Sequence, residues 1–454
     1  MHRKAAVPAM QKLLINKHLR SSFFGLLIFI LISYIIFEFY KRFITVYHFD
    51  FDCFYYSAKA LSLGRDIYQS SPCYIYPPFF AFLLTPISHF NQKSAEAIWM
   101  MINIFLIFIN LFFGFKIVSY AFQIKYRRWQ VMAVFLLAIL LTFQSLRWEI
   151  IDGQTDLLSL ALITFSLYYL QRKPMLSGAL LGITAIIKYQ SFLFAPLLLF
   201  RAQWKAFFGL LIGLLIAVFV PALKIGWRNN LNYLWYALKG LKNSANTNPL
   251  AANSAHVPTI FWERNISITN GVVRIFNDHH GSYLPAIVLA LAIAICTLSL
   301  IWLLFRKNRI AFLWRPADHF DARKEYALTL IEWSTLVIFM LAFSPESTKR
   351  HFALLLNVNL FIAVMLVFKT PALKRGVTWA LLLLYQFGIA FSFHWPMQNT
   401  GNVWDHLGGP GFSLLLALSL IISCGLAYYR DLYCKTQSQF SVDGHYIPRL
   451  GIQK

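Results

Sequence analysis

Met175-Leu-Ser-Gly-Ala-Leu-Leu-Gly-Ile-Thr-Ala-Ile-Ile-Lys188-Tyr-Gln-Ser-Phe-Leu-Phe-Ala-Pro-Leu-Leu-Leu-Phe200 is the stretch on which the architecture turns. Read as one helix, it crosses a bilayer once. Read as two short helices with Lys188 at the tip, it enters and returns. A full crossing takes about 20 apolar residues, so each half alone is short. The two readings place every later loop on opposite sides of the membrane.

Outward from this stretch lie apolar runs divided by short polar loops. The spacing predicts helices over Ser22–Tyr40, Ala97–Val118, Trp129–Leu146, Leu157–Leu170, Met175–Ile187 and Ser191–Phe200. Further helices are predicted over Trp204–Ala222, Tyr283–Phe305, Tyr326–Phe343, Phe352–Phe368, Val377–Phe393 and Phe412–Tyr429. The expectation is therefore an all-α polytopic membrane protein with about 12 transmembrane helices. Cytoplasmic loops carry excess Lys and Arg, and only the hairpin keeps the cluster Arg306, Lys307, Arg309, Arg315, Arg323 and Lys324 inside. The hairpin is the preferred reading, with both termini cytoplasmic.

Composition agrees. Of 454 residues 58% are hydrophobic and only 13% charged, against roughly 45–50% and 25% in soluble chains. Mean hydropathy is +0.58. These values exclude a soluble globular chain, a disordered one and a collagen-like one. The net charge of +23 would point to nucleic acid on a soluble chain, but here it follows from basic inner loops, so no nucleic acid is expected. Met1–Arg20 is polar and basic, and the apolar run after it is long enough to span, so no cleavable signal is expected. The expected organisation is an inner tail over 1–21, a transmembrane module over 22–429 and an inner tail over 430–454.

That topology gathers the polar residues at the outer face, in two long loops over 48–96 and 224–282 and several short ones. The first reads His48-Phe-Asp50-Phe-Asp52-Cys-Phe-Tyr55-Tyr56-Ser-Ala58, with Gly64 and Tyr68 beyond. Phe54–Leu63 fits a short amphipathic helix, and its two leading carboxylates suit the positive end of a helix dipole. On an extended chain Asp50 and Asp52 point the same way, and on a helix about 160° apart, in which case one alone readily faces a substrate. Tyr76-Pro77-Pro78 then opens an apolar stretch too short to span, as in a half-inserted element. Arg147-Trp-Glu149-Ile-Ile-Asp152-Gly153-Gln154-Thr-Asp156 turns between two helices. Lys188 at the hairpin tip is either snorkelling to water or holding an anion. Ser344–His351 places Lys349, Arg350 and His351 at a helix start, an end that prefers anions, so a bound phosphate would reconcile them. Glu332, inside a helix, needs a partner that the sequence does not name. Five cysteines are too few for a disulfide framework; Cys53 and Cys73 share the first outer loop, and a bridge and two free thiols both remain open.

The order of these features resembles glycosyltransferase family 87, membrane enzymes of the GT-C fold that include polyprenol-phosphate-mannose-dependent mannosyltransferases. Asp50, Phe54-Tyr55, Ala58, Gly64 and Tyr68 match the family's pattern after its first helix, and Tyr76-Pro77-Pro78 matches its Tyr-Pro-Pro turn. Asp152 and Asp156 stand where the family favours Asn; Thr348 replaces a Trp, and Arg350 takes the place of the first of two His, leaving His351.

The resemblance implies transfer of a hexose, mannose above others, from a polyprenyl-phosphate donor to a lipid or glycan acceptor at the outer face of a bacterial inner membrane. It implies inversion, with Asp50 as general base and with the catalytic His351, like Lys188 and Arg350, a candidate to stabilise the departing phosphate. Lys188, Arg350, Gln154, Asp52, Tyr55 and Tyr76 are the residues expected at the donor phosphate and substrate. A monophosphate leaving group facing cations does not demand Mg²⁺, so neither metal nor cofactor is expected, and the chain is expected to act as a monomer among membrane lipids. The rivals are a GT-C enzyme of another family, a non-catalytic membrane scaffold or receptor, and a twelve-helix transporter, which would show internal repeats and midplane binding residues. No repeat is apparent in this sequence.

Overall fold

An apolar chain with no water to satisfy its backbone has to bond each amide within its own segment, and helices do that. The computed structural model describes a few positions between 25 and 41, then 50–244, 260–262, 264–278, 283–314, 322–368, 375–391 and 403–442. Among the described residues there is no strand. The helices are α1 Asp50–Ser62, α2 Ile67–Ser70, α3 Pro78–Leu84, α4 Gln92–Ala121, α5 Arg128–Asp152, α6 Asp156–Tyr169, α7 Pro174–Ile187, α8 Phe194–Phe200 and α9 Trp204–Phe219. They continue as α10 Ala222–Ile225, α11 Trp227–Ser244, α12 Ile268–Asp278, α13 Tyr283–Lys307, α14 Ala322–Phe343, α15 Leu356–Val367, α16 Arg375–Ala390 and α17 Gly409–Val442.

Seven segments are long and apolar enough to cross a membrane, and four shorter apolar helices accompany them, among the described residues. The expected Ser22–Tyr40 helix and the 1–21 tail lie largely outside the described residues, and of the twelve expected crossings seven have the length and apolarity to span among the described residues. Two expectations change in detail. The segment taken as an outer loop over 224–282 contains α11 and α12. The segment taken as a loose tail from Arg430 continues α17 to Val442, because no Gly or Pro interrupts 426–443.

The hairpin reading holds. Lys188 leaves helical geometry at φ −133° and ψ 96°, and a 3₁₀ turn over Tyr189–Leu193 leads into α8. The proof of reversal is the pairing of α7 with α9. A Cβ on Gly209 would lie 2.1 Å from the Met175 carbonyl oxygen, and one on Gly213 would lie 2.0 Å from that of Ala179. From the other side, a Cβ on Gly178 would lie 1.7 Å from the Ala206 oxygen, and one on Gly182 would lie 2.1 Å from that of Leu210. Both helices therefore advance together in parallel, which requires the chain to return to its starting level through α8. Four glycines let the two backbones touch, the close approach that small residues permit between membrane helices.

At the centre lies α14, buried on nearly all sides, while α13 is almost wholly exposed and suits a lipid-facing position. Polar side chains stitch the bundle internally. Asn357 Nδ2 donates to Thr164 Oγ1 at 2.6 Å, Asn110 Nδ2 to the Leu157 carbonyl at 3.2 Å, and Tyr385 Oη to Asn359 Oδ1 at 3.0 Å. Glu332 on α14 finds its partner in Arg201, whose Nε donates to Oε2 at 2.9 Å, while the Leu313 amide donates to Oε1 at 2.5 Å. Cys53 on α1 is bridged to Cys73 across 20 residues of sequence, which ties the 71–76 loop to α1.

Two outcomes follow from this packing. Gly182→Ala forces α7 and α9 apart and should cost about 1–3 kcal/mol, as other overpacked sites do, whereas Gly240→Ala, where a Cβ meets nothing within 4 Å, should be neutral or slightly stabilising. Thermal unfolding of the two variants in one detergent checks the contrast. Cys53 and Cys73 should resist alkylation in denatured, unreduced protein and react after reduction, with the bridge contributing roughly 3 kcal/mol; free reaction of both without reductant would contradict the pairing.

Candidate functional site

The site is assembled by a clamp of apolar residues flanked by polar ones. Phe51, one residue inside α1, is buried and stacks on Trp99 of α4 with ring centroids 6.3 Å apart. Trp99 Nε1 donates to the Gly153 carbonyl at 2.7 Å. Gly153 ends α5 at φ 66°, and a Cβ there would sit 2.6 Å from Phe51 Cβ. Only glycine fits this approach. Because Phe51 touches Gly153, the neighbours on each side are brought together: Asp50 from α1, and Asp152 and Gln154 from the α5–α6 turn.

Gln154 Nε2 donates to Asp50 Oδ2. Arg350, from the 3₁₀ turn Lys349–Leu355 that leads into α15, donates through Nη1 to the same Asp50 Oδ2 at 2.6 Å. The same Nη1 donates to Asp152 Oδ2 at 2.9 Å. One guanidinium nitrogen thus holds two carboxylates. Both bonds to Asp50 fall on Oδ2, and Oδ1 accepts no hydrogen bond among the described residues. The Asp50 side chain keeps 41% of its surface exposed, against 12% for Asp152.

Asp52 departs from Asp50 as two residues on a helix must. Its Oδ1 accepts from Gln92 Nε2 at 2.7 Å, and Gln92 in turn accepts from the Tyr56 hydroxyl at 2.8 Å. Tyr55 is buried, and its hydroxyl donates to the Phe90 carbonyl at 2.9 Å, fastening α1 to the start of α4. Tyr76 packs edge-on against Phe54 at 5.3 Å, and burial raises its phenol above the ordinary value, so it stays protonated as a donor. The Tyr-Pro-Pro turn is built around Tyr74, whose hydroxyl donates to the Pro77 carbonyl at 2.8 Å and accepts from the Ala81 amide at 2.9 Å.

Beneath this layer lies a second group of charges. Lys188 Nζ is 3.0 Å from Asp156 Oδ1, and both are buried. Glu149, fully buried one turn before the α5–α6 turn, accepts from the Leu157 amide at 3.1 Å. Gln190 Nε2 ties the hairpin turn to the 344–351 segment through Ser344 Oγ at 2.8 Å and the Glu346 carbonyl at 3.1 Å. His351 Nδ1 lies 3.1 Å from the Glu346 carbonyl, so the ring is oriented by its own loop.

The structure therefore unites Asp50, Gln154 and Arg350, and places the Lys188–Asp156 pair close by, next to Tyr76 and His351. Lys188 and Arg350 are not bare cations waiting for phosphate: each already faces carboxylate, since an unpaired buried charge is costly. Lys349 likewise pairs with Asp405 at 2.7 Å. Asp152 and Asp156 were visible only as departures from a family pattern, yet they neutralise the two central cations. Gln92 and Trp99, which hold the site from α4, carried no signal in the sequence beyond membership of a helix.

The family model for glycosyltransferase family 87 matches residues 74–315. No curated protein and no solved structure gives a match. The matched region contains Tyr76, Gln154 and Lys188, and contacts within the fold add Asp50 and Arg350 from either side of it. With more than half of its length matched, this nearly all-helical, membrane-type chain belongs to glycosyltransferase family 87.

Proposed function

We propose that this glycosyltransferase moves a hexose, mannose above others, from a polyprenyl-phosphate donor to a lipid or glycan acceptor at the outer face of a bacterial inner membrane, with inversion. The observation that carries the proposal is the one-sided holding of Asp50. With Oδ2 occupied by Gln154 and Arg350, Oδ1 is the oxygen left for a substrate hydroxyl. In the proposed step that oxygen takes the acceptor's proton as the hydroxyl oxygen bonds to the anomeric carbon. The bond from that carbon to the phosphate oxygen breaks, and the electron pair leaves with the phosphate. Positioned proton transfer of this kind typically contributes about 10²–10⁴-fold.

Arg350 fits the other half of the step. A guanidinium has five N–H donors, and the bonds to Asp50 and Asp152 use Nη1. Its remaining edge suits a departing phosphate, for which planar bidentate contact is favourable. Asp152 then keeps Arg350 oriented while the charge on Asp50 is neutralised by the incoming proton. Lys188 and Asp156 shape the floor beneath, Tyr76 supplies a neutral donor, and His351 takes its place as a positioning group. Asp52 serves through Gln92 in holding α1, on the side away from the base.

The test is transfer of labelled sugar from polyprenyl-phosphate mannose by purified protein supplied with membrane extract. Asp50→Asn should lower turnover by at least about 10² with donor affinity largely kept. Asp52→Asn should cost less. Arg350→Gln should weaken donor binding as well as turnover. Near-normal turnover in Asp50→Asn, or a larger loss in Asp52→Asn, would overturn the assignment of the base.

A further inference from the structure

Helix α11 is unaccounted for by the proposed chemistry, and its residues sort into three faces. Asn230, Tyr233, Leu234 and Ala237 turn towards the protein: Asn230 is fully buried, with Nδ2 donating to the Val218 carbonyl at 2.9 Å, and Tyr233 meets Tyr68 at 5.6 Å between ring centroids. Trp227, Leu231, Trp235 and Leu238 recur at helical spacing on an adjoining face and are exposed, Trp227 by 54% and Trp235 by 60%. Arg228 and Lys239 flank that stripe, with Lys239 Nζ 5.7 Å from the Trp235 ring, and Lys224 precedes it. Residues 222–244 contain no Asp or Glu.

The position of α11 is set by the membrane-crossing segment before it. Trp204–Ile225 is long and apolar enough to span, and the chain turns out of it at Gly226, φ 79°. The Asn230 bond back to Val218 and the contact of Phe219 with Trp227, 5.1 Å between centroids, hold the first turns of α11 beside the end of that span. A helix leaving a bilayer in this way, with tryptophans on one stripe and cations beside it, has the signature of an element lying in the interface.

We infer that α11 docks on the lipid surface, its Trp227–Leu231–Trp235–Leu238 stripe in the headgroup–acyl boundary and Lys224, Arg228 and Lys239 on anionic phospholipid headgroups. Tyr233 on its inner face and the half-exposed Tyr236 both meet Tyr68, whose hydroxyl donates to the Tyr76 carbonyl at 2.8 Å. Docking of the helix therefore fixes the loop that presents Tyr76. The inference does not depend on the identity of the donor or of the base.

It is tested on full-length protein with Cys296, Cys424 and Cys434 replaced by Ser and an environment-sensitive fluorophore at Leu231→Cys, Leu238→Cys or Asn232→Cys. The protein is placed in nanodiscs of phosphatidylcholine with or without phosphatidylglycerol. At 231 and 238 quenching by lipid spin-labelled near the headgroup should exceed quenching by aqueous iodide at least about twofold, with the reverse at 232. Arg228→Gln with Lys239→Gln should remove the additional lipid quenching seen with phosphatidylglycerol. Equal iodide quenching at all three positions would overturn the inference, as would shielding of 231 and 238 from both quenchers, which would mean that protein covers the stripe.

Discussion

A guanidinium at position 350 reaches a carboxylate at position 50, and the whole bundle has to close for that contact to exist. Arg350 also holds Asp152, so the 3₁₀ turn before α15, the first turn of α1 and the end of α5 meet at one nitrogen. Charges withdrawn from water persist when they are paired and hydrogen-bonded. Asp152 leaves Arg350 with one carboxylate that stays buried and one, Asp50, that stays half exposed. The asymmetry gives Asp50 a fixed orientation while leaving Oδ1 without a hydrogen bond among the described residues.

The apolar scaffold makes that meeting reproducible. Phe51, Trp99 and Gly153 form a contact that admits no side chain at position 153, and the polar residues beside them follow from their places in the chain. Lower down, the α7–α8 reversal brings Lys188 to Asp156, while the glycine contacts between α7 and α9 hold the reversal in place. Arg201 and Glu332 form a second buried pair between the α8–α9 turn and α14.

Most helices could be read from the sequence because a bilayer demands a minimum apolar length and leaves few alternatives. The reversal at Lys188 was legible through the positive-inside rule, since a single long helix would have placed the basic cluster after it outside. The first-loop carboxylates and the Tyr-Pro-Pro turn were visible as a local pattern. Their partners were not: Asp50 and Arg350 are 300 residues apart, and nothing local shows that Arg350 faces carboxylates before it faces any phosphate. Glu332 was recognisable as a charge in need of a partner, but Arg201 lies 131 residues away. The Cys53–Cys73 bridge depended on a loop geometry that spacing alone leaves open. Helix α11 was missed because asparagines dilute its apolar content, although Trp227, Leu231 and Trp235 already stood four residues apart.

In the proposed reaction Asp50, held on Oδ2 by Gln154 and Arg350, acts as a base in a single displacement with no covalent sugar intermediate. The anomeric configuration of the transferred sugar tests that displacement most directly, and it can be read by proton NMR of product made from a donor of known configuration. Inversion at the anomeric carbon is the predicted result. Retention of configuration would contradict it, because it requires a second displacement and a nucleophile where this account places a base.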